Sequence, residues 1–118
     1  MNKIKKHLAS YKYSVRGILV AFKGDQNMFF HLIAAIAVVI TNCLLKISRT
    51  EWLITIILIS LALMAELFNT AIEKLADCVT REQDPLIAQV KDIASGAVLI
   101  ICGGAVVCAL IIYLPYIL

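Results

Sequence analysis

Residues 53–77, LITIILISLALMAELFNTAIEKLAD, decide the fold of this chain. Positions 53–65 are almost wholly apolar, whereas the remainder carries Glu66, Glu73 and Asp77. Neither part contains glycine or proline, so the pattern predicts one long helix across both. The apolar half suits lipid, and we expect the polar half to emerge on one side of a membrane.

The composition of the whole chain also indicates a membrane. Of its 118 residues, 62% are hydrophobic and 16% are charged, against about 45–50% and about 25% in soluble domains. A chain this short has too little interior to hide so many apolar side chains. An ordinary soluble enzyme, a disordered tail and a coil-rich secreted scaffold are therefore excluded.

Hydropathy divides the chain into a surface helix and three spans. In residues 1–23, apolar side chains recur every three or four positions and lysines occupy other positions around the helix, which is typical of an amphipathic helix in the membrane interface. Apolar helices follow at 28–45, 52–79 and 93–114, each expected to span the membrane. We therefore predict an all-α membrane protein with a single membrane domain over 1–118.

The basic residues predict how the chain is oriented. With the N-terminus inside, nine lysines and arginines face the cytoplasm, and only Lys46 and Arg49 lie outside. The net charge of +3 is mild, and the basic residues of the first helix lie beside apolar runs. This placement favours contact with membrane lipids and gives no indication of a nucleic-acid partner.

A polar stripe begins at Glu66. At about 100° per residue, three further polar side chains lie within about 60° of it: Asn69, Glu73 and Asp77. Glu66 lies about 21 Å along the helix from Trp52, in a hydrocarbon core about 30 Å thick, so we expect it several ångströms below the cytoplasmic surface. A carboxylate there suits a general base that acts on a lipid alcohol. For Glu73 and Asp77, the alternative is a solvated helix face beyond the bilayer.

The remaining charged residues suggest phosphoryl transfer. Three acids and a lysine–aspartate pair are expected to converge where the third span begins: Asp25, Glu73, Asp77, Lys91 and Asp92. Carboxylates with open positions bind Mg²⁺ together with substrate phosphates, and a lysine neutralises developing charge. The chain has neither GxxxxGK[ST] nor GxGxxG, so a nucleotide site here would be neither a P-loop nor a protein-kinase site.

A function from a different class is also open at this point. In a small multidrug-type transporter or a channel subunit, Glu66 would be the ion-coupling carboxylate. Such a protein would need Glu66 near the bilayer midplane and would have no use for acids gathered on one surface. The clustering of the other acids on the cytoplasmic side therefore favours the kinase.

Two segments, 65–77 (AELFNTAIEKLAD) and 90–99 (VKDIASGAVL), closely resemble the prokaryotic diacylglycerol kinase family of small membrane kinases. The family pattern is E-x-x-N-[ST]-A-I-E-x-x-x-D, followed by A-K-D and a G/A-A-V-L run, and the resemblance spans nearly the whole chain. It implies ATP- and Mg²⁺-dependent transfer of a γ-phosphoryl group to the primary hydroxyl of undecaprenol or diacylglycerol. It also implies a homotrimer with active sites shared between subunits, in the bacterial inner membrane.

The resemblance implies roles for individual residues. Glu66 matches the general base, and Asp25 and Glu73 match the two metal ligands. Other positions match those that bind the nucleotide: Lys6, Tyr13, Ser14, Asn69, Asp77, Glu82, Asp84, Lys91 and Asp92. Most of these residues lie in the segments predicted to face the cytoplasm.

Some positions depart from the family pattern. Asp25 stands where the family usually has glutamate, Asp84 where histidine is common, and Val90 where A-K-D has alanine. The segment 22–28, FKGDQNM, followed by His31, looks more like the branch that phosphorylates undecaprenol. His31 itself is expected to be an interface residue at the start of the first span.

Overall fold

The computed structural model describes residues 2–118 and forms four α-helices, with no strand in that part of the chain. The helices are α1 (Lys3–Gly24), α2 (Gln26–Leu45), α3 (Arg49–Val79) and α4 (Pro85–Ile117). The predicted all-α architecture, with an N-terminal helix before three more apolar helices, is confirmed. The predicted surface helix includes Met1, which lies outside the described residues.

The first two connections are short because polar side chains cap the helices on either side. Asp25 alone separates α1 from α2, and its carboxylate accepts a hydrogen bond from the Asn27 amide at 2.9 Å. Lys46 ends α2 in the left-handed conformation, at φ 52°. Ser48 and Glu51 then form a reciprocal capping box at the start of α3. These caps fold α2 back against α3.

The helix α4 begins eight residues before the predicted bound of 93 and ends at Ile117 instead of 114. The Asp84 carboxylate accepts hydrogen bonds from the amides of Leu86 and Ile87, at 2.8 and 3.3 Å, and Pro85 occupies the first turn. An aspartate cap followed by proline is a strong helix start. The connection between α3 and α4 is therefore shorter than the predicted helix bounds of 79 and 93 imply, because hydropathy alone does not detect the capping signal.

Three of the helices, α2, α3 and α4, are long and apolar enough to cross a membrane. Most large apolar side chains of the chain are exposed, including Leu8 and Leu19 on α1. The buried apolar residues are few: Ala21, Met28, Ile47, Ala76, Ala94 and Ile112. A surface of this kind requires lipid or other protein around it, so the chain is a multi-pass membrane protein.

The long helix α3 is the centre of the fold, because it packs chiefly against α4 and also against α2. Two groups of polar side chains lie along it. The Asn42 cluster, near the N-terminal end of α3, consists of Asn42, Thr55 and Tyr113. The Glu66 cluster, in the C-terminal half of α3, consists of Asp25, His31, Glu66, Asn69 and Thr70.

Candidate active site

The Glu66 cluster is assembled from the start of α2 and one face of α3. Asp25 caps α2, and His31 lies in the second turn of that helix. Glu66, Asn69 and Thr70 are spaced at i, i+3 and i+4, which places their side chains on the same face of α3. All three are buried, so the helices bring four polar groups and a histidine together within an apolar bundle.

Asp25 ties the start of α2 to α3. The Thr70 hydroxyl donates to Asp25 Oδ2 at 2.7 Å, and the Asn27 amide donates to Oδ1. Desolvation raises the pKa of Asp25, but the neighbouring Glu66, the Thr70 hydroxyl and the backbone amides at the start of α2 lower that pKa by more, to below its ordinary value. Asp25 is therefore a carboxylate anion at neutral pH, fixed at the edge of the cluster.

Glu66 is almost completely buried, with 2% of its surface exposed. Its Oε2 lies 3.4 Å from Nε2 of His31, whose side chain is 17% exposed. Among residues 2–118, its other oxygen, Oε1, has no hydrogen-bond partner, and neither does Oδ1 of Asn69. A buried acceptor without a donor costs about 1–3 kcal/mol, so both oxygens are poised for a donor or cation that this chain does not itself supply.

Glu66 and Asn69 line a cavity of about 480 Å³, which we call the polar chamber. Its other walls come from α2 and α4 and include His31 and Ser95. A second cavity of about 310 Å³, the apolar groove, runs between the three long helices as far as Thr55 and Tyr113. The two cavities share three lining residues: His31, Ala34 and Cys102. A ligand with a polar head and an apolar tail therefore fits across both.

Other predicted site residues lie where α3 meets α4. Lys91 Nζ donates to Asp77 Oδ1 at 2.8 Å. Lys91 also lines a cavity of about 430 Å³ together with Glu82 and Asp84, although the Asp84 carboxylate is engaged in capping α4. Of the predicted convergence of charged residues, the structure brings Asp77 and Lys91 into direct contact.

Several predicted site residues are not joined to the Glu66 cluster by any hydrogen bond or ion pair in residues 2–118. Glu73 and Asp92 are exposed on α3 and α4. Three more are exposed on α1, where their contacts are local: Lys6, Tyr13 and Ser14. Within the described part of the chain, no three histidine, cysteine, aspartate or glutamate side chains come close enough to hold a metal ion.

Two members of the cluster were not predicted as site residues. His31 was expected to be an interface residue, but its ring faces Glu66 between α2 and α3. Thr70 was not singled out, although its hydroxyl fixes Asp25. A signal for His31 was present, because an ionisable residue in a membrane span usually has a partner, and Glu66 is an available one.

The chain is similar to known membrane kinases over most of its length. The profile of the prokaryotic diacylglycerol kinase family matches residues 12–113. An undecaprenol kinase of Bacillus subtilis is 36% identical over 114 residues, which cover 97% of this chain and 93% of that protein. A diacylglycerol kinase of Pseudomonas aeruginosa is 35% identical over 94 residues, covering 80% and 76%. A diacylglycerol kinase of Synechocystis is 30% identical over 109 residues, covering 92% and 62%.

These matches agree with the geometry of the Glu66 cluster. The family profile covers Asp25, His31 and Glu66, and it includes α2, α3 and all but the last turn of α4. A kinase that acts on lipids needs a polar chamber beside an apolar groove, and the membrane spans supply both. The transporter and channel alternative is accordingly set aside. The chain belongs to the prokaryotic diacylglycerol kinase family and is a multi-pass membrane lipid kinase.

Proposed function

We propose that this lipid kinase transfers the γ-phosphoryl group of ATP, with Mg²⁺, to the primary hydroxyl of undecaprenol. The observation that carries the proposal is the buried Glu66 Oε1, which lacks a donor in residues 2–118 and belongs to a polar chamber that shares lining residues with an apolar groove. A lipid alcohol has the one donor that this oxygen needs and the apolar chain that the groove accepts. Glu66 then holds the hydroxyl and takes its proton as the new oxygen–phosphorus bond forms and ADP leaves.

Undecaprenol is favoured over diacylglycerol as the acceptor by the start of α2. The sequence from 22 to 28, followed by His31, is similar to the undecaprenol branch, and the relative that is an undecaprenol kinase matches nearly the full length of this chain. Both lipids present a primary hydroxyl, so the same base serves either. The choice between them depends on the groove and not on Glu66.

The proposed ligands are of the chemical type that binds a magnesium ion, although Glu73 is exposed and has no hydrogen bond or ion pair to the Glu66 cluster in residues 2–118. Asp25 and Glu73 are carboxylates, and the buried Asn69 Oδ1 is a further oxygen ligand without a donor. Mg²⁺ commonly binds one or two protein carboxylates and completes its shell with water and phosphate oxygens. When bound, the ion would neutralise negative charge on the phosphates during transfer.

Nucleotide contacts are proposed for both sides of the site. On one side are groups of α3, α4 and their connection: Asp77, Glu82, Asp84, Lys91 and Asp92. On the other side are Lys6, Tyr13 and Ser14 of α1, which lie apart from the Glu66 cluster of the same chain. This separation supports a homotrimer in which α1 of one subunit serves the site of a neighbour.

Assembly also agrees with the surface of the isolated chain. The three spans leave most of their apolar side chains exposed, and the stripe from Glu66 to Asp77 has only partial cover from α2 and α4. Neighbouring copies would close over that stripe. We propose that the site lies at the cytoplasmic face of the bacterial inner membrane, because nine of the eleven basic residues would then face the cytoplasm.

The proposal is tested with purified protein in mixed micelles. Labelled ATP and Mg²⁺ are supplied with undecaprenol in one reaction and diacylglycerol in the other, and lipid phosphate is separated and counted. We expect labelled undecaprenyl phosphate at the higher rate. A higher rate with diacylglycerol, or no product from undecaprenol, would overturn the assigned acceptor.

A further inference from the structure

We propose that His31 is a positioning residue that orients the Glu66 carboxylate for the lipid hydroxyl, an inference that rests on the function proposed above for Glu66. The two side chains meet across the α2–α3 interface, with Nε2 of His31 3.4 Å from Oε2 of Glu66. In residues 2–118, this and the exposed Lys91–Asp77 pair are the ion-pair contacts. Of these two contacts, only the one made by His31 reaches the buried Glu66 cluster.

The two oxygens of Glu66 lie in different environments. Oε2 faces the His31 ring, whereas Oε1 is buried without a partner. A carboxylate is symmetric in itself, so a contact to one oxygen is what fixes the rotation of the group. With Oε2 turned toward His31, Oε1 is left as the oxygen that receives the proton of the alcohol.

The place of His31 in the fold suits this role. It is one of three residues that line both the polar chamber and the apolar groove. The head of a lipid that spans both cavities must pass it to reach Glu66. The other shared residues, Ala34 and Cys102, offer no comparable donor, so His31 is the strong donor at this junction.

The contact between the His31 ring and Glu66 is a long one. At 3.4 Å the contact is longer than an ordinary N–H to oxygen hydrogen bond of about 2.7–3.2 Å. Catalytic contacts are often long without substrate and shorten when it binds. The contact needs only the tautomer with hydrogen on Nε2, and it does not depend on a positive charge on the ring.

The test compares His31→Phe, which fills the space without a donor, with His31→Gln, which keeps a donor. The acceptor is whichever lipid alcohol the unmodified protein phosphorylates, so an error in the assigned acceptor does not affect the outcome. We expect His31→Phe to lower kcat about tenfold to a hundredfold, with the KM for ATP unchanged. His31→Gln should recover most of that loss.

A matched control is Leu32→Phe, which places the same aromatic ring on the neighbouring residue, exposed and lining neither cavity. It should keep kcat. Each variant is checked for an unchanged thermal midpoint in detergent. A normal kcat in His31→Phe would overturn the proposal, and so would equal losses in His31→Phe and His31→Gln, which would indicate that the shape of the ring and not its donor matters.

Discussion

The Glu66 and Asn42 clusters are both polar groups within apolar helices, yet they are built in opposite ways. Asn42 is completely buried, and both ends of its amide are used: Nδ2 donates to Thr55 Oγ1 at 2.9 Å, and Oδ1 accepts from the Tyr113 hydroxyl at 2.5 Å. The Thr55 hydroxyl donates in turn to the Trp52 carbonyl. In the Glu66 cluster, by contrast, two buried acceptors lack a donor.

The difference separates a structural cluster from a candidate site. A satisfied polar network joins helices and lowers the energy of one arrangement. A network with unsatisfied acceptors is unfavourable by itself and persists where the rest of the fold holds it. The Asn42 cluster joins α2, α3 and α4 at one end of the bundle, whereas the unpartnered acceptors of Glu66 and Asn69 lie further along α3.

The largest effect is expected from Glu66→Gln, which removes the base and keeps the size of the side chain. Turnover in mixed micelles should fall about a thousandfold, because the amide cannot accept the hydroxyl proton. The thermal midpoint in detergent should not fall, because a buried carboxylate with an unpartnered oxygen contributes little stability. ATP binding should also be retained. Near-normal lipid phosphorylation would contradict the role of Glu66.

The converse result is expected from Asn42→Leu, which breaks the satisfied cluster. The hydroxyls of Thr55 and Tyr113 lose their partner, so the free energy of unfolding should decrease by about 1–3 kcal/mol. The kcat of the protein that remains folded should be unchanged. Thr41→Val is the matched control, because the Thr41 hydroxyl bonds only within its own helix, to the Ala37 carbonyl. Equal destabilisation by both variants would mean that the hydrogen bonds between helices stabilise the fold no more than a hydrogen bond within one helix.

Asp25 has a structural role, because it caps α2 and bonds Thr70, and it is also a proposed metal ligand. Two substitutions separate these roles. Asp25→Asn keeps a good helix cap and an oxygen for Thr70 but removes the charge, whereas Asp25→Ala removes all three. Only Asp25→Ala should lower the free energy of unfolding, by about 1 kcal/mol for the lost cap. Both should raise the Mg²⁺ concentration needed for half-maximal activity. Unchanged Mg²⁺ dependence in Asp25→Asn would remove Asp25 from the proposed metal site.

The sequence was sufficient for the spans and for the burial of Glu66, because both follow from hydropathy and helical periodicity. Of the predicted polar stripe, Glu66 and Asn69 are buried. Glu73 and Asp77 are exposed, which agrees with the alternative interpretation of a solvated helix face. Pairings between helices were not predicted, because they depend on how α2 and α3 rotate against each other. His31 with Glu66 and Asn42 with Thr55 are examples of such pairings.

The smallest effects should come from the two tyrosines near the end of α4, Tyr113 and Tyr116. The Tyr113 hydroxyl bonds the buried Asn42, whereas that of Tyr116 bonds Glu51 at the exposed surface. Tyr113→Phe should lower the free energy of unfolding by about 0.6 kcal/mol, the average for a hydrogen bond between membrane helices. Tyr116→Phe should give no measurable change, because water replaces its partner. Unfolding in mixed detergent micelles measures both variants, and an equal loss in the two would mean that burial does not distinguish these hydrogen bonds.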